Sequence, residues 1–241
     1  MKVAGKVILL LNGGDAFAAA ISGSLQPKPS SSLQLLNDLF ELPLESYGIT
    51  DRKASGNIIH FINSNGQYEV SILLLQNYEP PILACALNEI LLKLAGEDMS
   101  TMPTLIVPFA VSESKLKQEN KYTVKSDKVS VYGIKLGPTT DVTQTLSSKL
   151  KKPPPSLQIH QEDLAILLHL VNVVKLPAVV LIGQTSQHTS NKASEDELEV
   201  VCEIGELLAS VSSLTFSKEK MIQNPTKTSR DSKEAWRALY G

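Results

Sequence analysis

The chain has 241 residues, 42% of them hydrophobic and 20% charged, enough apolar material to bury one sizeable core or two small ones. A formal net charge of −2 and a pI near 6.1 supply no global attraction for nucleic acid or anionic membrane, so any partner has to be recognised locally. Cys85 and Cys202 lie far apart in apolar patterns and no Cys or His spacing resembles a zinc site, which points away from a metal and towards a reducing compartment, the cytoplasm first and the nucleus second.

Lys2 and Lys6 precede an apolar run that ends after Leu11 at Asn12-Gly13-Gly14-Asp15. Five apolar residues are too few for a secretory core, so the run reads as a buried strand and the chain as soluble. Residues 16–21 start a helix with Asp15 as its cap, residues 22–32 read as a loop, and Leu33, Leu35, Leu36, Leu39 and Phe40 recur at near-helical spacing. Residues 57–62 and 68–75 flank Asn65-Gly66 and predict an antiparallel hairpin. Pro80 and Pro81 then open a core helix that closes at Gly96.

A buried strand at 104–107 ends at Pro108, a polar surface excursion covers 112–128, and residues 129–136 return to the sheet. Lys149, Lys151 and Lys152, followed by three prolines, read as a stiffened solvated spacer that could touch an acidic partner. A helix over 162–176 and a strand over 178–182 form a crossover unit. Ser194 and Glu197 have capping-box spacing for a last helix whose Leu198, Val201 and Cys202 face the core. Strands alternating with helices define an α/β sandwich, and the hairpin makes its sheet mixed.

Little chemistry is visible in this order. Gly13-Gly14 at a strand's end is the best enzyme-like feature, since a glycine turn before a helix can present amides to an anion, yet neither a GxGxxG nor a GxxxxGK[ST] pattern surrounds it. The competing reading is a tight connection with Asp15 capping the helix. His60, His160, His169 and His188 have no carboxylate or serine at catalytic spacing and read as surface or hydrogen-bonded structural residues. Cys85 and Cys202 lack basic neighbours that would make a thiolate.

Residues 1–216 form one α/β domain and 217–241 a polar tether ending in Leu239, Tyr240 and Gly241. A hydrophobic side chain, a phenol and a carboxylate at one end suit a pocket on another protein. The same residues leave a second reading open: Trp236, Leu239 and Tyr240 fall at i, i+3 and i+4, a face that can dock back onto its own core.

Leu239-Tyr240-Gly241, together with residues 102–107, the polar insertion, and the helix at 162–176 leading into Leu176-Pro177 and the strand to Ile182, resembles the proteasome assembly chaperone 1 family, whose members end in a hydrophobic-Tyr-X motif. The resemblance implies a non-catalytic chaperone without cofactor. It implies a partnership with the related proteasome assembly chaperone 2, binding to α-subunits of the proteasome core particle, and promotion of α-ring assembly. It also implies a three-layer αβα fold akin to nucleoside phosphorylases and hydrolases. Leu239 and Tyr240 would enter a pocket between α-subunits and the Gly241 carboxylate would pair with a pocket lysine. Two departures are the first strand's closeness to Met1, where animal members carry a longer leader, and the low cysteine content. A nucleoside- or peptide-processing hydrolase or phosphorylase using the Gly13-Gly14 turn is the alternative on the same fold.

Overall fold

A computed structural model describes residues 1–12, 16–96, 102–112, 115–117, 130–155, 157–185 and 192–223, with the side chains of Lys117, 192–196 and 222–223 outside the description. Its centre is four parallel strands: β1 (Lys6–Leu11), β5 (Tyr68–Leu75), β6 (Thr104–Ser112) and β10 (Ala178–Thr185). Each reads as a nearly unbroken apolar run because both of its faces are covered. Alternate residues go to opposite sides: Val7, Leu9, Leu105, Val107 and Val180 enter one core, while Ile8, Leu10, Ile106, Val179 and Leu181 enter the other.

Antiparallel strands finish the sheet. β3 (Gln34–Leu42) and β4 (Ala54–Ile62) extend it beyond β5, and β8 (Val131–Leu136) pairs with β10, giving the order β3-β4-β5-β1-β6-β10-β8. Helices α2 (Pro80–Ala95) and α4 (Glu162–Val174) close the first core. The second is closed by α1 (Phe17–Ser24), α3 (Asp141–Lys149), α5 (Lys192–Ser212) and α6 (Lys218–Gln223). The molecule is thus a three-layer α/β sandwich with a mixed sheet. Two short ribbons, β2 (Leu25–Pro27) with β11 (Leu214–Phe216) and β7 (Leu116–Lys117) with β9 (Gln158–Ile159), tie loops together.

Several local expectations hold. Asn63 and Gly66 build the turn between β4 and β5: Asn63 Oδ1 accepts the Asn65 and Gln67 amides, and Gly66 takes the left-handed conformation at φ 74°. Gly96, also at positive φ, ends α2 by donating its N–H to Leu92. The helix of the crossover unit stops two residues early, where Lys175 turns left-handed.

Others are corrected. The leucines from 33 to 40 lie in or beside β3 instead of a helix: their spacing fits an edge strand, where neither face is fully covered and the inside-outside alternation is lost. The expected loop at 22–32 contains the end of α1 and β2. Strand β6 runs through Pro108. Thr104 N–H donates to Gly5 on the β1 side and Leu105 N–H to Pro177 on the β10 side, so residue 108 faces β1, where pairing stops at Ile106 and no ladder bond is lost. Leu198 is 43% exposed on α5 instead of facing the core. Helix α3 was not anticipated; it opens on a Thr140–Thr143 capping box.

Candidate functional site

The carboxyl ends of β1 and β6 are the place where this fold would hold a ligand. From β1 the chain reaches β5 on one side, and from β5 it crosses by α2 to β6 on the other, so the connections diverge around β1. Past Ile8 and Ile106 the two strands part. The crevice between them is lined by Leu11, Phe17, Pro108, Phe109, Ala110 and the polar Gln161 and Asp163, and holds about 30 Å3. That volume takes about one water, whereas small-molecule sites measure roughly 300–1,000 Å3. Gly13, Gly14 and Asp15, the alternative reading's anion-binding turn, lie outside the described residues.

The candidate catalytic side chains are dispersed. His60 on β4 is 3% exposed; its Nδ1 lies 2.9 Å from Ser71 Oγ, which also accepts the Ala4 N–H at 2.9 Å, and its ring stacks on Tyr68. Burial pushes this imidazole below its ordinary value of 6.5, with the Asp38 charge pulling partly the other way. It is a hydrogen-bonded structural histidine. His160 and His169 are exposed on the loop before α4 and on α4 itself, and His188 lies outside the described residues. Both cysteines are half-buried free thiols, and burial pushes the Cys202 thiol up, away from the thiolate. Among the described residues no His, Cys, Asp and Glu cluster is arranged to hold a metal, and no helix is long and apolar enough to cross a membrane.

A larger cavity, about 310 Å3, lies between α5 and the β8–α3 side. It brings Lys149 and Lys151 together with Glu203 and Glu206, a meeting of distant segments that local sequence did not signal. Lys149 Nζ donates to Ser210 Oγ at 3.1 Å, and Glu206 pairs with Lys218 at 2.8 Å. Burial pushes the Glu203 carboxyl up, against the pull of Lys151. Two of the three lysines expected in a solvated spacer, Lys149 and Lys151, therefore share a cavity with carboxylates.

The partner-binding residues expected from sequence, Leu239, Tyr240 and Gly241, lie outside the described residues, and the root of their segment is within them. Ser217 N–H donates to Ser24, Lys220 Nζ donates to Gln26 Oε1 at 2.9 Å, and Met221 on α6 is buried in the second core. The stretch from Lys218 to Gln223, placed in the tether by composition, is helix packed against α1.

Fold and site define an α/β sandwich protein with a small crevice between β1 and β6 and no catalytic constellation among its described residues. The chain belongs to the family described as Domain of unknown function (DUF7894), whose model matches residues 1–241. No curated protein matches it. Among solved structures it is similar to Mycobacterium tuberculosis Rv2714, a protein of unknown function, with a TM-score of 0.54, 12% identity, and coverage of 98% of this chain and 78% of that one. A Thermoplasma acidophilum protein of unknown function gives TM-score 0.54 at 11% identity, covering 100% and 92%. Pyrococcus furiosus PbaB, an archaeal proteasome activator, gives 0.50 at 10% identity, covering 100% and 96%. At these identities the likeness is one of fold.

Proposed function

We propose that this chain is a non-catalytic proteasome assembly chaperone, related to the proteasome assembly chaperone 1 family. It pairs with a related second chaperone and binds α-subunits of the core particle to promote the α-ring. The observation that carries the reading is the fold shared along the whole chain with PbaB, a proteasome activator. The terminal resemblance of Leu239-Tyr240-Gly241 to a hydrophobic-Tyr-X motif supports it independently.

In this reading the body is one anchor and the last three residues are the other. Tyr240 lies 17 residues beyond Gln223, and covalent geometry lets that length span up to about 60 Å. Leu239 loses apolar surface to water in a pocket between α-subunits, the Tyr240 ring packs while its hydroxyl finds a partner, and the Gly241 carboxylate pairs with a lysine. Two tethered contacts raise avidity without either being tight.

Affinity purification of the intact chain beside Tyr240→Ala and a version extended by two residues tests the reading. Proteasome α-subunits should accompany the intact chain and fall off with both altered ends, while the related chaperone stays with all three. Equal recovery of α-subunits from all three would remove the role of the tip, and their absence throughout would remove the proteasome reading.

A further inference from the structure

The two edges of the main sheet are treated differently. Along β8, Lys151 forms a bridge with Tyr132 and its carbonyl accepts the Gly133 N–H at 2.9 Å. Along β3, the outer side has no strand beside it among the described residues. The direction of its peptide groups follows from β4. Ser55 C=O accepts from Gln76 and Ser55 N–H donates to the Tyr78 hydroxyl, so odd-numbered β4 residues face β5. Bonding alternates along an antiparallel pair, so even-numbered β3 residues bond β4 and Leu35, Asn37, Leu39 and Glu41 point outward. The Leu39 N–H is already held by Asp38 Oδ1 at 2.8 Å; nothing comparable caps Leu35 or Asn37 among the described contacts.

Edges are normally blunted by proline, charged side chains, a bulge or short length. β3 is nine residues long, has neither proline nor lysine, and keeps unbroken register with β4 from Gln34 to Leu42; its two charges are engaged, Asp38 with the Leu39 N–H and Glu41 with Lys53. Leu35, Leu36 and Leu39 on it are 45%, 46% and 74% exposed.

We propose that β3 pairs antiparallel with β3 of a second copy of this chain, across a two-fold axis at Leu36, to make one sheet running through both subunits. The strand is complementary to itself in this register. Leu36 meets Leu36, Gln34 can donate its amide to Asp38, and Leu33 meets Leu39. Leu35 and Asn37 sit opposite each other, so their uncapped N–H and C=O groups exchange four hydrogen bonds across the axis. Moving the axis to Asp38 would oppose two carboxylates. Moving it to Asn37 would set Leu36 against Asp38, an apolar side chain against a carboxylate. The proposal uses no part of the proteasome reading, and the related chaperone of that reading has no surface assigned to it.

Sedimentation of the purified full chain should give twice the 26.2 kDa chain mass at raised concentration. Leu36→Lys places like charges on the axis and Asn37→Pro removes an outward donor; both should sediment as monomers with unchanged circular dichroism. Leu36→Cys tests the register, because non-hydrogen-bonded partners bring their Cα atoms to about 4.5 Å, within disulfide reach. Under mild oxidation Leu36→Cys should cross-link two subunits, while Asp38→Cys and the wild type, with its native Cys85 and Cys202, should not. A monomeric wild type at every concentration overturns the proposal, and so does a dimer that survives both edge variants or leaves Leu36→Cys uncrosslinked.

Discussion

His60 is a histidine whose environment, more than its type, decides its role. Ser71 Oγ ties it to the Ala4 amide, so one hydroxyl joins β4, β5 and the residues ahead of β1. Removing it by Ser71→Ala leaves a fully buried donor and a ring nitrogen without their partner, at a cost of about 1–3 kcal/mol in urea unfolding. The pH dependence has a definite sign. Because folding lowers this imidazole's pKa, the unfolded chain binds the proton more readily, and stability rises with pH. The contribution is complete above 6.5 and is lost as pH falls through the lower folded-state value. Urea midpoints should therefore drop from about pH 8 to about pH 5.5, and the drop should shrink in His60→Gln. An undiminished drop in that variant would assign the effect to other groups.

At the scale of elements, capping chemistry and strand position explain most of what was and was not legible. Thr140 accepts the Thr143 amide while Thr143 Oγ1 accepts the Thr140 N–H, a reciprocal pair that starts α3 in a segment with few apolar residues. Thr140→Ala should cost about 1 kcal/mol, seen as a lower urea midpoint with unchanged slope. A threonine at the N3 position hid this box from a search for Ser/Thr followed by Glu or Gln. β3 was unreadable for a different reason. Its leucines straddle both faces of an edge strand, so their spacing carries neither the period of a half-buried strand nor a true helical stripe. Pro108 broke a correct strand on paper only, since which ladder it faces depends on where β1 stops pairing.

For the whole molecule, the root of the C-terminal segment belongs to the core. Met221 fills the second core beside α1, so Met221→Ala should destabilise the entire domain, by about 2–5 kcal/mol, and not merely loosen the segment after it. Differential scanning calorimetry reads this as a lower Tm in a single cooperative transition. A separate, earlier transition would mean that α6 melts on its own.

The α/β class, the parallel central strands and the hairpin were written in local patterns: unbroken apolar runs where both faces are buried, helices with one apolar stripe, and Asn-Gly at a turn. These are properties of short segments, and neighbouring residues carry them. What pairs with what is not such a property. The place of β3 at the end of the sheet order, the meeting of Lys149 and Lys151 with Glu203, and the burial of Met221 all depend on segments far apart in the chain, and became definite only when the sheet order did.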